Sequence, residues 1–506
     1  MRTWCHFVAA LLAGLIAASA SASERVLQVV SPWEVASTDP SKNGYIFARM
    51  QIAETLLDAD DEGRPQPGLA TNWDASDDLK TWRFELRDGV TFHDGTPLTA
   101  EIAAASLEAA LAKPGVLNRM PIDAIAADGN SVVITLSEPF AAVPAFLAHH
   151  STQTLAPASY GAAGEVTDVI GTGPYRITLL EPPQSLEVER FDDYWGPAPE
   201  IQGARYLAVS RGETRALMAE SGDADLVFTL DPASYPRLER SDRLDVQAMA
   251  IPRTIAAKVD AGHPFLDSVD ARQALSLAID RQGIAAASLR FPEAAATQLL
   301  PPSVADWHVP DLSPLAHDPD KARALLASLG WSEGPDGILE RDGEAFHLTV
   351  RTFPDRPELP LIATAMQDQL RQVGIDLDVS VGNSSEIPSG HQDGSLEMAL
   401  FARNFGLVPD PLGTMLQDFS KDGGDWGAMN WDQPEMVAVL TDLSSTTEAE
   451  TQAALRGESS AILQRDLPVI PIAWYQHTAA VNKELEGVSI DPLERSYRIA
   501  AMSWAK

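Results

Sequence analysis

Hydrophobic and polar residues alternate with a period of two over 82–87: Trp82, Phe84 and Leu86 interleave with Arg83, Glu85 and Arg87, the pattern of a half-buried strand. Asp88-Gly89 then turns the chain, and Val90 and Phe92 are expected to begin a second short strand. A further turn at 94–97 leads to Thr99, placed to cap a helix that starts near Ala100 and is carried on by Ala, Leu and Glu. Elsewhere the apolar run 26–30 reads as a buried strand, followed by a loop through Trp33, Asp39-Pro40 and Asn43-Gly44-Tyr45 and an amphipathic helix over 46–57. Strands are expected at 132–136, 177–180, 374–379 and 398–401. Helices are expected at 145–150, 213–221, 267–287, 361–373 and 448–467. A further helix from Asp318-Pro319 ends at Leu329-Gly330, with Pro at its first position and Gly past its end. Strands and helices alternate with hairpins interspersed, so the fold class is α/β with mixed sheets. The chain shows no tandem repeat and no low-complexity linker.

Length changes this picture first. A chain of 506 residues exceeds what one core sustains, so two or more lobes are expected. The formal net charge is −35, which argues against nucleic acid or an anionic bilayer as the main partner, since both need a basic footprint. Residues 1–22 read as a secretory signal: Arg2, an apolar run over 7–18 too short to span a bilayer, and the small-residue sites at 18–20 and 20–22. The single cysteine, Cys5, lies inside this signal and ahead of its apolar run, so the mature chain is expected to have no thiol, disulfide or lipid anchor. No later stretch is apolar enough to cross a membrane, and a Gram-negative periplasm is the simplest compartment.

Several motifs follow one another in order. They are Leu69-Ala70 with Trp73, the 82–111 unit, Gly-Thr-Gly-Pro-Tyr over 171–175, Phe-Asp-Asp-Tyr-Trp-Gly over 191–196, the helix centred on 271–281, and the helix–strand pair over 361–379. This ordered set, from about Leu69 to Ile472, resembles the family 5 solute-binding proteins of bacterial ABC importers, which bind dipeptides, oligopeptides or nickel. The resemblance implies a two-lobed periplasmic-binding-protein fold of type II, with an extra subdomain on lobe one and a two-strand hinge. Its expected divisions are a signal peptide at 1–22, lobe one at 23–45, 169–248 and 472–506, the subdomain at 46–168, and lobe two at 249–471. The chain would cross to lobe two near 248–253 and return near 469–472. It also implies a monomer without cofactor or metal, a small-molecule ligand (peptide, opine or chelate), and an ABC permease in the inner membrane as partner.

Candidate contacts follow from the same resemblance. Lobe two should present 401–411 to the cleft, with Arg403 and Asn404 at a strand end and Phe405 beside them. An arginine there suits a carboxylate or phosphate; the alternative is that it pairs with Asp410 and shapes the loop. The spacing from Arg403 to Asp410-Pro411 is nearer to the nickel-binding subgroup, but Ala402 stands where that subgroup carries a histidine, which weighs against direct metal ligation. Trp33 and Tyr45 are candidate aromatic walls, with lobe packing as the alternative. His150 and Gln153 border the cleft in relatives. Trp431 and Trp474 are further candidates, with core or surface roles as alternatives. His149-His150 invites a metal reading, but adjacent helical residues point about 100° apart and seldom share an ion.

Enzyme readings meet specific objections. Gly171-x-Gly173 lacks the third glycine of a dinucleotide loop and is followed by a strand-like run. Gly457-Glu458-Ser459-Ser460-Ala461 sits in a helical run, not at the strand-to-helix turn that a nucleophilic serine needs. An exported hydrolase is therefore the alternative of a different class, and the ligand-binding reading is the expectation.

Overall fold

The computed structural model describes residues 25–421 and 423–506. The proposed signal segment, 1–22, lies outside the described residues. A ten-stranded sheet runs through the molecule. On one side, Leu27–Ser31 pairs in parallel with Gly203–Ala208 and Leu226–Phe228, and Ser185–Arg190 and Tyr175–Glu181 extend the edge antiparallel. On the other, His347–Thr352 pairs in parallel with Asp376–Val381 and Met398–Asn404. Two long strands, Leu244–Val259 and Val469–Asn482, join the halves and pair with each other antiparallel. Their ladder is broken midway: Ala250 pairs with Gln476 and the next partners are Thr254 and Trp474. Pro252 sits in the gap and has no N–H to donate.

Apolar side chains collect in separate clusters on either side of this break. One is built on Leu27, Val29, Phe47 and Tyr206, another on Ile255, Leu348, Leu400 and Ile472. A third fills the four-stranded antiparallel sheet Ala70–Ala75, Thr81–Leu86, Ser131–Leu136 and Ile122–Asp128. There Trp82, Phe84 and Leu86 are buried, as their spacing requires. Among the described residues no helix is long and apolar enough to cross a membrane.

Four local expectations changed, one of them the helix expected over 145–150, which is the short helix Val143–Phe146 followed by a tight turn at His150–Thr152. Val90 and Phe92 are buried but form no strand; Thr91 makes only an isolated bridge to Pro97, and Thr81–Leu86 finds its partners in Ala70–Ala75 and Ser131–Leu136. The helix expected over 46–57 is Pro40–Arg49, because Asp39 caps it (its carboxylate accepts from Ser41 N) and Pro40 takes the first position. The 267–287 run divides into Val269–Ala278 and Arg281–Ile284, the second capped by Asp280. By contrast Thr99 caps Ala100–Leu111 and Asp318 caps Pro319–Ser328 as their positions indicate.

The glycines of 171–175 serve close packing. A β-carbon at Gly171 would lie 2.2 Å from the Ile52 carbonyl oxygen, and one at Gly173 2.3 Å from that of Gln51. This approach brings Thr172 Oγ1 to the Glu54 carboxylate (2.7 Å), which also accepts from Trp195 Nε1 (2.9 Å) and Tyr194 OH (3.2 Å). Two motifs distant in sequence thus meet on one carboxylate, whose pKa burial pushes up to about 7. Gly171→Ala is expected to lower stability by about 1–3 kcal/mol, because the obstacle is backbone and cannot rotate away. Denaturant unfolding with an unchanged slope checks this.

Candidate functional site

The last crossing strand ends at Asn482, and the chain then returns through residues 488–498 into the groove between the two halves of the sheet. Asp491 holds this return in a tight turn: its carboxylate accepts from the backbone N–H of Leu493, Arg495 and Ser496. Arg495 and Arg498 tie it to Asp58 and Asp61 across the groove. At its centre Glu494 adopts φ +57°, a left-handed conformation uncommon for a residue with a β-carbon.

Glu494 is buried and meets charge from both halves. Its carboxylate pairs with the Arg253 guanidinium and accepts from Asn404 Nδ2 (2.7 Å); both residues stand beside the break in the crossing ladder and pair with each other in the sheet. On the other side lie Arg49 Nη2 (3.8 Å) and His477 Nδ1 (3.8 Å), and Arg49 Nε donates to the Glu494 carbonyl (2.8 Å). Burial drives the His477 imidazole down to about 4, against the pull of Glu494, so it is neutral near pH 7. Two guanidiniums therefore face one carboxylate.

The groove around this centre is divided by the returning segment. A cavity of about 300 Å³ is lined by Tyr45, Glu54, Asp58, His150, Glu494 and Arg495. A second, of about 380 Å³, lies between 61–65, 303–307 and 406–411, with Leu493 at its wall. The first is rich in groups that hold carboxylates and amines. Nearby, Arg356 is buried between the Trp33 and Tyr475 rings, 4.7 and 4.8 Å from their centroids, and so links the two halves by cation–π contacts.

The sequence-derived candidates separate into two groups. Asn404, Tyr45, His150 and Trp33 lie at the groove: Tyr45 and His150 form an edge-to-face pair on the cavity wall, and Trp33 stands against Arg356. The others are engaged in packing. Arg403 makes a two-pronged ion pair with Asp418 (2.6 and 2.7 Å), not with Asp410, which instead accepts from the Trp307 indole and the Leu412 N–H. Phe405 is enclosed in an apolar cluster with Leu412 and Met415. Gln153 is buried and donates to the Gly44 and Ala53 carbonyls. Trp431 bonds Asp466, and Trp474 donates to the Gln298 carbonyl. None of these five lines either of the two cavities. His149 and His150 are kept neutral by burial, and among the described residues no three His, Cys, Asp or Glu side chains converge to hold a metal ion. Ser459 is buried within Ala449–Asp466 and donates to the Arg456 carbonyl.

Arg49, Arg253, Arg356 and Glu494 were missed as candidates. Arg253 could have been noticed, since it ends the segment expected to cross between lobes. Glu494 carried no such signal, being one of 72 acidic residues and set in an irregular stretch.

Comparison with known proteins fits this geometry. Residues 64–426 match the family model described as bacterial extracellular solute-binding proteins, family 5 Middle. The nickel-binding periplasmic protein of Escherichia coli (strain K12) is 25% identical over 466 residues, covering 88% of each chain. The glutathione-binding protein GsiB of the same strain is 25% identical over 454 residues, covering 86% of each. Among solved structures, NikA from Brucella suis in complex with Fe(III)-EDTA superposes with a TM-score of 0.84 at 22% identity, covering 95% of this chain and 100% of that one.

Proposed function

The chain belongs to family 5 of the bacterial extracellular solute-binding proteins, and from that membership we propose that it captures a peptide or peptide-like solute in the periplasm and delivers it to an ABC permease. The observation that carries this reading is the groove crossed by two long strands, whose shared ladder is interrupted at 251–253. Such a break is a place where backbone dihedrals can change without tearing either flanking ladder, which is what a hinge requires. It puts the pivot of the return strand near Tyr475. Closure then depends on a solute that touches both halves, because only differential affinity shifts such an equilibrium. Arg49 from one half and Arg253 with Asn404 from the other supply that divided contact for a carboxylate. The glutathione-binding relative favours a peptide-like solute. The nickel-binding relative keeps a carboxylate-rich chelate as the second reading.

The test is a thermal-shift screen of the exported chain against dipeptides, glutathione and nickel–histidine, with mass spectrometry of copurifying compounds and small-angle scattering. One class is expected to stabilise the chain stoichiometrically, by about 2.7 kcal/mol at a hundredfold excess over Kd, and to reduce its radius of gyration. Turnover of a peptide, or an unchanged scattering profile with every compound, would overturn the reading.

A further inference from the structure

We propose that Arg49, Arg253 and Asn404 form a receptor for a solute carboxylate, and that Glu494 is a tethered occupant which the incoming carboxylate displaces. This rests on the solute-binding reading and adds to it the chemistry of the solute and a self-competing segment within the chain. Three observations converge on it.

The first is charge. The guanidiniums of Arg49 and Arg253 both face Glu494 and His477 is neutral, so two buried positive charges meet one carboxylate, while Arg356 has Glu358 beside it. The second is unmet hydrogen bonding. Arg253 Nε, His477 Nδ1, Ser31 Oγ and Tyr497 OH are all buried without a partner. Ser31, His477 and Tyr497 line a pocket of about 10 Å³ against Glu494. That is room for about one water and for no solute. One water there can serve Ser31, His477 and Tyr497, while the Arg253 Nε is a donor of the receptor itself that Glu494 leaves unused. The third is strain. The return segment carries left-handed backbone at both Glu494 and Arg498, conformations that relax only if the segment itself shifts.

A path for exchange exists. Glu494 forms part of the wall of the 300 Å³ cavity, so its side chain can withdraw into that space as a solute enters. The ion pairs of Arg495 with Asp58 and of Arg498 with Asp61 use exposed carboxylates, and such pairs hold weakly. A solute carboxylate therefore competes against a group already held in place by the chain. Glu494 thereby sets a threshold: solutes with one weak anionic contact are excluded, and those with further contacts in the cavity displace it.

Acetate is the probe. In Glu494→Ala the receptor is vacated, and acetate is expected to raise Tm and to bind at least tenfold more tightly than to the wild-type chain, with chloride at equal ionic strength as control. Glu494→Gln keeps the side-chain shape and safeguards folding; losing only the charge, it should give an intermediate acetate response. Equal acetate responses in wild type and both variants would overturn the proposal. A peptide or chelate that binds the wild-type chain and both variants equally would do the same while leaving the solute-binding reading intact. Acetate binding to the vacated receptor without any solute from the screen would count against that reading instead.

Discussion

Arg403→Ala is expected to destabilise the chain by about 3–5 kcal/mol, the cost of leaving one member of a buried ion pair alone. Asp418 is almost fully enclosed, and burial pushes its carboxyl upward against the pull of Arg403. Arg119 and Lys258 also act on Asp418, Arg119 the more weakly, and Lys258 is itself buried and held down to about 7 by that burial, so it is a poor substitute. Arg403 also sits opposite Thr254 in the ladder between Leu244–Val259 and Met398–Asn404, where loosening would spread to Arg253 and its pairing with Glu494. Pairing the change with Asp418→Leu removes the stranded carboxylate, and the double variant should be less destabilised than Arg403→Ala alone. Urea unfolding of both decides the matter. A loss near 0.5 kcal/mol for Arg403→Ala, typical of a surface position, would show that the pair carries little and would return Arg403 to the pool of free ligand contacts.

Acidification gives the second large effect. Burial holds His93 and His477 down to about 4 and His149 to about 3, and it lowers His150 well below the ordinary value of 6.5. Between pH 6.5 and 4 the unfolded chain therefore takes up protons that the folded chain refuses, and stability falls as pH falls. Each such histidine contributes up to about 1.4 kcal/mol per pH unit in this window. Glu54 opposes one of them: its folded pKa of about 7 lies above its ordinary 4.5, so the folded chain holds a proton through that interval and gains stability as pH falls. Water reaches the rings of His93, His149 and His150 in part, which trims their share. A net loss of about 2 kcal/mol per pH unit is expected from pH 6 to 5, read from denaturant unfolding at each pH. His149→Asn should reduce the proton uptake on unfolding in that window by one. A flat profile between pH 7 and 5 would show that these imidazoles are solvated.

Such depressed histidines also bear on metal binding. His149 and His150 lie with ring centroids 3.9 Å apart, close enough to attract a metal reading from sequence. Their surroundings are organised differently: Ser151 N donates to His149 Nδ1, and His150 stands edge-on to Tyr45. The pair shapes the cavity wall.

What the amino-acid order determined by itself is whatever depends on near neighbours. The period-two pattern at 82–86 buried Trp82, Phe84 and Leu86, and Thr99 and Asp318 capped the helices they precede, because side-chain alternation and capping act within a few residues. The family, and with it the two-sided fold, was legible from motifs spread along the chain. What only the tertiary structure decided is which charges meet. Arg403 had Asp410 and Asp418 within reach in sequence, and the helix Leu412–Phe419 turned the second toward it. Glu494 joins Arg49, Asn404 and Arg253 from three distant segments, in a groove that exists only once both crossing strands have paired. An ion pair in a protein is a statement about distance and burial, and no local pattern of residues encodes either across such separations.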